Sequence, residues 1–308
     1  MSKIAFVFPG QGAQVVGMGK DAYDRHEAAR AVFDEADRTL GFNLSEVIFS
    51  GPDQLLKQTS HTQPALLTVS TALLTVFAEK GIQPDFVAGH SLGEYSALVA
   101  AKSLRFADAV QLVRTRGLLM EEAVPAGQGA MAAVLGAERE SLEQLCQQIS
   151  LEGHVVELAN LNCPGQIVIS GSTSGVQAVI ERGKEIGAKR VIPLEVSGPF
   201  HSSLMIPAAE KLAIDLAEVA ISEAAVPVVA NVTAHTVTEA EQIRTLLAKQ
   251  VYSPVLWEDT IRYLIEQGVT TFIEIGSGSV ISGLVKKIDR TVTIVTLNNM
   301  DAIEAFQL

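Results

Sequence analysis

The residues best suited to covalent chemistry lie in Gly89-His90-Ser91-Leu92-Gly93, which the chain reaches from the apolar run Phe86-Val87-Ala88 and leaves through a helical pattern, Leu92 to Ala101. A strand that turns sharply into a helix between two glycines lifts the central hydroxyl clear of the sheet. The free N–H groups at the start of that helix then face the negative charge that develops when the hydroxyl attacks a carbonyl. The five-residue pattern is common by chance. The strand before it and the helix after it are what favour a nucleophilic Ser91 over an ordinary helix cap.

A serine needs a base within hydrogen-bond reach. The chain offers His26, His61, His90, His154, His201 and His235. His90 adjoins the serine, but a neighbour across a sharp turn generally points the other way. His201 follows Ser197-Gly198-Pro199-Phe200, a short loop held by Gly and Pro, and is the candidate base; the alternative is a solvated loop histidine. Acyl transfer also needs two N–H donors for the oxyanion. One is the amide of Leu92. Pro9-Gly10-Gln11-Gly12 presents the amide of Gln11 as a second, or else is a plain strand-to-helix turn.

Ala109, Val113, Arg116 and Met120 fall at i, i+4, i+7 and i+11, so an arginine stands in an apolar helical stripe. A guanidinium drawn into such a face requires an anion, and its planar fork suits a carboxylate. Arg116 pairs with an internal acid or awaits a carboxylate-bearing substrate, and the residues alone leave both open. Arg114 points away from the stripe and is expected in solvent. No acid marks itself as a third catalytic member. Gln250 closes a helical run, and its free main-chain carbonyl could hold the His201 N–H instead, leaving a Ser–His dyad.

These groups must be carried by an α/β fold with a largely parallel sheet, because short β-rich runs alternate with longer helical patterns. Residues 4–8, 86–88, 226–232, 271–275 and 291–296 read as strands. Residues 64–80, 92–101, 106–123, 204–219, 240–250, 256–266 and 280–288 read as helices. Between 125 and 197 the order becomes strand 129–135, helix 138–149, strands 155–161 and 166–170, helix 174–186 and strand 190–196. That is the βαββαβ order of a ferredoxin-like split motif. The expected domains are therefore 1–125 with 197–308 as a large catalytic unit, and 126–196 as an inserted subdomain with a cleft between them.

The 308 residues are 48% apolar and 19% charged, which excludes disorder and fibres. Lys plus Arg number 23 against 35 Asp plus Glu, a net charge of -12. That balance argues against nucleic acid or an anionic membrane as partner. Cys146 and Cys163 show neither metal-ligand spacing nor a disulfide framework and read as small buried hydrophobes. The apolar run at the start, Met1 to Phe8, is too short for a secretory signal, and no stretch reaches the roughly 20 apolar residues of a spanning helix. A soluble cytoplasmic protein, without metal and monomeric, is expected.

With the Gly-His-Ser-Leu-Gly turn, the early Pro-Gly-Gln-Gly loop, Arg116-Gly117 and Gly198-Pro199-Phe200-His201 in this order, the chain resembles the malonyl-CoA:acyl carrier protein transacylases of type II fatty acid synthesis. Gln63-Pro64-Ala65-Leu66-Leu67, Ala159 to Gln166 and Phe272 to Gly276 extend the resemblance over Ile4 to about Lys287. It implies an α/β-hydrolase-like large domain and a ping-pong reaction. In that reaction Ser91 takes malonyl from malonyl-CoA with His201 as base, then passes it to the phosphopantetheine thiol of an acidic, transiently bound acyl carrier protein. It implies that Arg116 binds the malonyl carboxylate, that Gln11 and Leu92 form the oxyanion hole, and that the Gln250 carbonyl orients the histidine. Phe200 is implied as a size gate, with Met120, Gln63 and Asn162 as further substrate-binding residues. No bound cofactor is implied.

One departure stands out: Ser277 and Ser279 replace the Pro and Lys of many relatives, which touches carrier docking more than catalysis. Competing readings are a trans-acting malonyltransferase of polyketide synthesis, an acyl-thioester hydrolase of the same fold, and a non-catalytic carrier-binding module. A hydrolase leaves Arg116 without a purpose, and the module leaves Ser91 and His201 without one. A dinucleotide fingerprint at Gly276-Ser277-Gly278 fails at Ile281. An acidic carrier calls for a basic rim, for which Lys184, Lys189, Arg190, Lys286, Lys287 and Arg290 are candidates, each against the plainer reading of solvated charge.

Overall fold

In the computed structural model, which describes residues 2–307, strand β1 (Lys3–Phe8) leads through helices α1 (Lys20–Arg25), α2 (Glu27–Leu40), α3 (Leu44–Ser50), α4 (Asp53–Leu56) and α5 (Thr59–Ala78) to β2 (Phe86–Gly89). Helices α6 (Gly93–Ala100) and α7 (Phe106–Glu122) follow. The chain then forms β3 (Gly129–Leu135), α8 (Arg139–Leu151), β4 (Val156–Cys163), β5 (Gln166–Ser172), α9 (Thr173–Arg182) and β6 (Arg190–Pro193). It returns through α10 (Ile206–Glu218), β7 (Val228–Val229), β8 (Thr236–Val237), α11 (Ala240–Gln250) and α12 (Trp257–Glu266). It ends with β9 (Val269–Ile275), α13 (Val280–Ile288), β10 (Thr293–Leu297) and α14 (Met300–Ala305). Met1 and Leu308, which the expected large domain includes, lie outside the described residues.

Two sheets result. The first has the order β10-β9-β1-β2-β7-β8 and is parallel from β10 to β7, with β8 antiparallel at the edge. Residues Ala5 to Phe8 of β1 and all of β2 are buried, as central parallel strands covered on both faces must be. The second sheet, β4-β5-β3-β6, is antiparallel, and its order is that of the ferredoxin-like motif. Under it lies a separate cluster of buried side chains, drawn from Ala132 to Ala188. The second sheet is tied to the segment between α11 and α12, where Leu161 N donates to Val255 O and Val255 N to Ala159 O, at 2.9 and 2.8 Å.

Several elements differ from the sequence pattern. The strand expected over 226–232 shrinks to Val228–Val229 because the chain turns after Asn231 to form β8. Helices α1 to α4 fill a stretch where no element was expected; α2 is short of large apolar residues, with a buried stripe of Ala29, Val32, Phe33 and Ala36. Helix α5 starts at Thr59 and carries Pro64 inside it. Proline cannot donate to the carbonyl four residues back. The Ser60 carbonyl instead accepts from Arg114 Nη1 at 2.5 Å. Arg114 is therefore not the solvated side chain expected: its guanidinium also lies 5.1 Å from the Phe42 ring centre.

The turn between β2 and α6 depends on two close approaches. A Cβ on Gly89 would meet the Gly93 carbonyl oxygen at 1.9 Å, and one on Gly93 would meet the Phe8 carbonyl oxygen at 2.3 Å. Neither contact can be relieved by a side-chain rotation. Gly93→Ala should therefore cost about 3 kcal/mol or more, the upper end of overpacking. The thermal unfolding midpoint should drop by roughly 5 °C or more; an unchanged midpoint would show that the turn is loosely packed.

Candidate active site

Ser91 stands at the end of β2 with φ 50°, a left-handed conformation that costs a non-glycine residue on the order of 1–3 kcal/mol. Asn231, two residues beyond β7, spans the turn. Its Oδ1 accepts from the Ser91 amide at 2.7 Å, and its Nδ2 donates to the Gly89 carbonyl at 2.7 Å. The sequence reading passed over Asn231; the signal was an Asn just past the carboxyl end of a parallel strand beside the one carrying the serine. His90 points away from the hydroxyl, with Nε2 2.8 Å from Asn162 Oδ1 and its ring 5.6 Å from that of Trp257.

His201 comes to the serine from a different part of the chain. Its φ is 60°, and its amide donates to the Val251 carbonyl at 3.1 Å. Nδ1 lies 2.8 Å from the Gln250 main-chain carbonyl, and Nε2 lies 2.8 Å from Ser91 Oγ. A carbonyl can only accept, so the ring proton sits on Nδ1 and Nε2 is left to accept from the hydroxyl. Burial, and then the charge of Arg116, push the imidazole down to about 3. The ring is therefore neutral, the form a base requires, throughout the neutral range.

Arg116 projects from α7 beneath the serine and is 1% exposed. Nη1 donates to Gln63 Oε1 at 2.7 Å, and Nη2 donates to Gln250 Oε1 at 2.8 Å and to Ser91 Oγ at 3.3 Å. Nε has no partner, and among the described residues no carboxylate lies within ion-pair distance. Of the two possibilities the sequence left open, an internal ion pair is thus not the one realised. A buried guanidinium with only neutral acceptors, lining a cavity beside the nucleophile, is a ready place for an anion.

A cavity of about 110 Å³ is lined by Ser91, Arg116, Gln63, Met120, Phe200 and His201. Met120 Sδ accepts from Gln63 Nε2 at 3.6 Å. Gln11 and Leu92 line it too, and among the described residues neither of their amides donates to a protein acceptor. The Gln11 side chain donates to Thr59 Oγ1 at 3.2 Å, and Thr59 Oγ1 lies 2.9 Å from Ser197 Oγ on the loop before His201. Asn162 lies elsewhere: it faces His90 and lines an adjoining cleft of about 380 Å³ that also reaches Gln11, Lys57, Gln166 and Ile281. Asn160, which the sequence reading did not single out, lines both spaces.

The acyl transferase domain family matches residues 5–298. The chain belongs to this family. Among its relatives, the acyl transferase is 58% identical over 304 residues to the malonyl CoA-acyl carrier protein transacylase of Bacillus subtilis (strain 168), covering 99% of this chain and 96% of that one. It superimposes with a TM-score of 0.97 on an acyl carrier protein S-malonyltransferase from Vibrio cholerae, 44% identical and covering 99% and 100% of the two chains. A third likeness, at TM-score 0.96 and 43% identity with 98% of each chain covered, is to PlMCAT, a malonyl-transacylase solved in complex with a type II PKS acyl carrier protein.

Ser277, one of the two departures from many relatives, is buried in this acyl transferase, and its hydroxyl donates to the Ala13 carbonyl at 2.7 Å. It therefore braces the loop that carries Gln11. Among the described residues no group of three His, Cys, Asp or Glu is disposed to hold a metal, and no helix is long and apolar enough to cross a membrane.

The depressed imidazole makes a prediction that needs no substrate. An exposed histidine would lose half of its base form near pH 6.5. Here the protonated form is disfavoured in the folded chain, so the base survives as pH falls through that value. Labelling of Ser91 by a fluorophosphonate, followed by intact mass, should keep its rate between pH 8 and pH 5.5. A halving near pH 6.5 would show that His201 is not held as described.

Proposed function

We propose that this acyl transferase moves a malonyl group from malonyl-CoA to the phosphopantetheine thiol of an acyl carrier protein, supplying fatty acid synthesis. The observation that carries the reading is Arg116, a buried cation that lines the small cavity beside the nucleophile and, among the described residues, forms no ion pair. Ser91 Oγ attacks the thioester carbonyl while His201 Nε2 takes its proton, supported by their 2.8 Å contact. The amides of Leu92 and Gln11 receive the oxyanion, and the Gln250 carbonyl keeps the imidazole in the accepting tautomer. CoA leaves as the thiol with the proton from His201. The carrier's thiol then gives its proton to His201 and attacks the malonyl-serine ester, and His201 returns that proton to Ser91 Oγ as the ester bond breaks, which restores Ser91 and the neutral base.

Arg116 binds the malonyl carboxylate, with Gln63 fixing one arm of its fork. Met120 and Phe200 limit the size of the acyl group. Asn162, outside the small cavity, serves the pantetheine arm in the adjoining cleft. That cleft lies between the two sheets and is consistent with a division into 1–125 with 197–308 and an inserted 126–196. The insert's own buried cluster supports the same boundaries. The chain works in the cytoplasm, a reading supported by two free, buried cysteines, and as a monomer. The likeness to a transacylase bound to a polyketide carrier favours a second reading, in which the acceptor is a polyketide acyl carrier protein.

Ser91→Ala should abolish the mass gain on mixing with malonyl-CoA; an equally labelled variant would remove Ser91 from the mechanism. Arg116→Ala should slow malonyl transfer by about 100-fold more than acetyl transfer, since a charged hydrogen bond in a buried site is worth roughly 1.5–3 kcal/mol. Equal losses for both acyl groups would make the arginine structural. Lys184, Lys189, Arg190, Lys286, Lys287 and Arg290 are all exposed and are proposed as the rim that meets an acidic carrier. Transfer to the carrier should therefore fall steeply between 50 and 300 mM salt while acylation from malonyl-CoA falls less; parallel curves would remove the rim from the account.

A further inference from the structure

Glu94 is a carboxyl that the mechanism above does not use. It lies on the first turn of α6, three residues after the nucleophile, and is 3% exposed. One of its oxygens, Oε2, accepts from Gln250 Nε2 at 2.7 Å and from the Asn231 amide at 3.0 Å. Both partners hold the site. Gln250 offers its side-chain oxygen to Arg116 Nη2 and its main-chain oxygen to His201 Nδ1, each at 2.8 Å. Asn231 clasps the two sides of the serine turn. Gln250 Nε2 also reaches the Ser91 carbonyl at 3.0 Å.

We propose that Glu94 is a positioning residue for acyl transfer: by fixing the Gln250 side chain and the Asn231 main chain, it sets the carboxylate-binding arginine, the histidine base and the serine turn in one common frame. An amide side chain has two ends, and here each end is assigned. With Nε2 directed at Glu94, Oε1 must face Arg116. If the carboxyl is lost, Nε2 keeps only the Ser91 carbonyl at 3.0 Å and Asn231 Oδ1 at 3.3 Å, and the amide is held less firmly in the orientation that gives Oε1 to Arg116. The carboxyl also stands one side chain away from a buried cation that has no direct ion pair. Burial pushes Glu94 up to about 7, against the opposing pull of Asn231, Gln250 and Arg116. A carboxyl this far out of water is costly to keep, which argues for a function beyond filling space.

The proposal rests on the malonyl-transfer reading, so its test measures both acyl groups on the full chain. Single-turnover acylation of Ser91 by malonyl-CoA and by acetyl-CoA is followed by quenched intact mass for wild type, Glu94→Ala and Glu94→Gln. Thermal melts establish that each variant is folded. Glu94→Ala leaves the buried Asn231 amide without an acceptor and removes the shortest of the hydrogen bonds made by Gln250 Nε2. It should slow acetyl acylation by about tenfold and malonyl acylation by about 100-fold, lowering the malonyl-to-acetyl ratio about tenfold. Glu94→Gln still presents an oxygen to both donors and should restore the ratio and bring both rates within about fivefold of wild type. A general loss of stability would not change the ratio in the folded fraction.

A folded Glu94→Ala chain with the wild-type ratio overturns the proposal, as does a Glu94→Gln chain as impaired as the alanine variant. Where Glu94→Ala does not purify folded, Glu94→Asp, whose oxygens are drawn back by one methylene, takes its place with the same expected losses and the same criterion. A wild-type chain that acetylates but takes no malonyl overturns the functional reading instead, which keeps the two failures apart.

Discussion

The arrangement turns on one buried charge. Arg116 is held beneath the nucleophile by two glutamine side chains and the serine hydroxyl itself, all of them neutral. Taking a guanidinium out of water without a counterion is expensive, and a fold built only for stability would supply an acid at that place. Here the charge has neutral partners only, and the residue lines a small cavity, which leaves the charge incomplete. In the proposed reaction a carboxylate-bearing acyl group completes it, so that the same interaction selects the substrate and holds its carbonyl near Ser91. The cost falls on the surrounding structure. The dense packing of α5 against α7, where a Cβ on Gly117 would come within 2.7 Å of Ser60 Cα, brings Gln63 of α5 onto the guanidinium.

That constraint also accounts for the form of the base. In a Ser–His–Asp arrangement a carboxylate orients the imidazole and stabilises its charged form. An acid beside His201 would lie close to Arg116 and would compete with an anionic substrate for it. The main-chain carbonyl of Gln250, at the end of α11 where helical partners run out, orients the ring through a hydrogen bond without adding a charge. The proposed oxyanion hole follows the same economy, since the Leu92 and Gln11 amides are backbone groups at strand-to-helix turns. Backbone groups are held by the fold rather than by side-chain rotamers, and so they need little reorganisation as charge develops.

Function here depends on approaches that only small residues permit. Gly89 lets the serine turn close on itself, Gly93 lets it pass against β1, and Gly10 lies where a Cβ would meet the His90 carbonyl oxygen at 2.3 Å. Asn231 and Ser277 are the polar counterparts: each is buried and each ties a loop of the site to a neighbouring strand end. The nucleophile and the proposed oxyanion donors therefore sit on loops at the carboxyl ends of parallel strands, while Arg116 and Gln63 reach the site from α7 and α5.

Much of this was legible in the amino-acid order. The serine turn, the βαββαβ insert and the arginine in an apolar stripe are all local patterns, and local patterns follow from backbone sterics and from the periodicity of helix and strand. What the order alone did not decide is which distant groups meet. Whether Arg116 had an internal acid, where Asn162 lay, and that Glu94 and Asn231 stand behind Gln250 and the serine depend on contacts between residues that are 50 to 160 positions apart in several cases. Such contacts leave no periodic trace. A buried polar side chain looks the same in a sequence whether its partner is a carbonyl, a water or a substrate, and only the packed chain brings the partner into hydrogen-bond range.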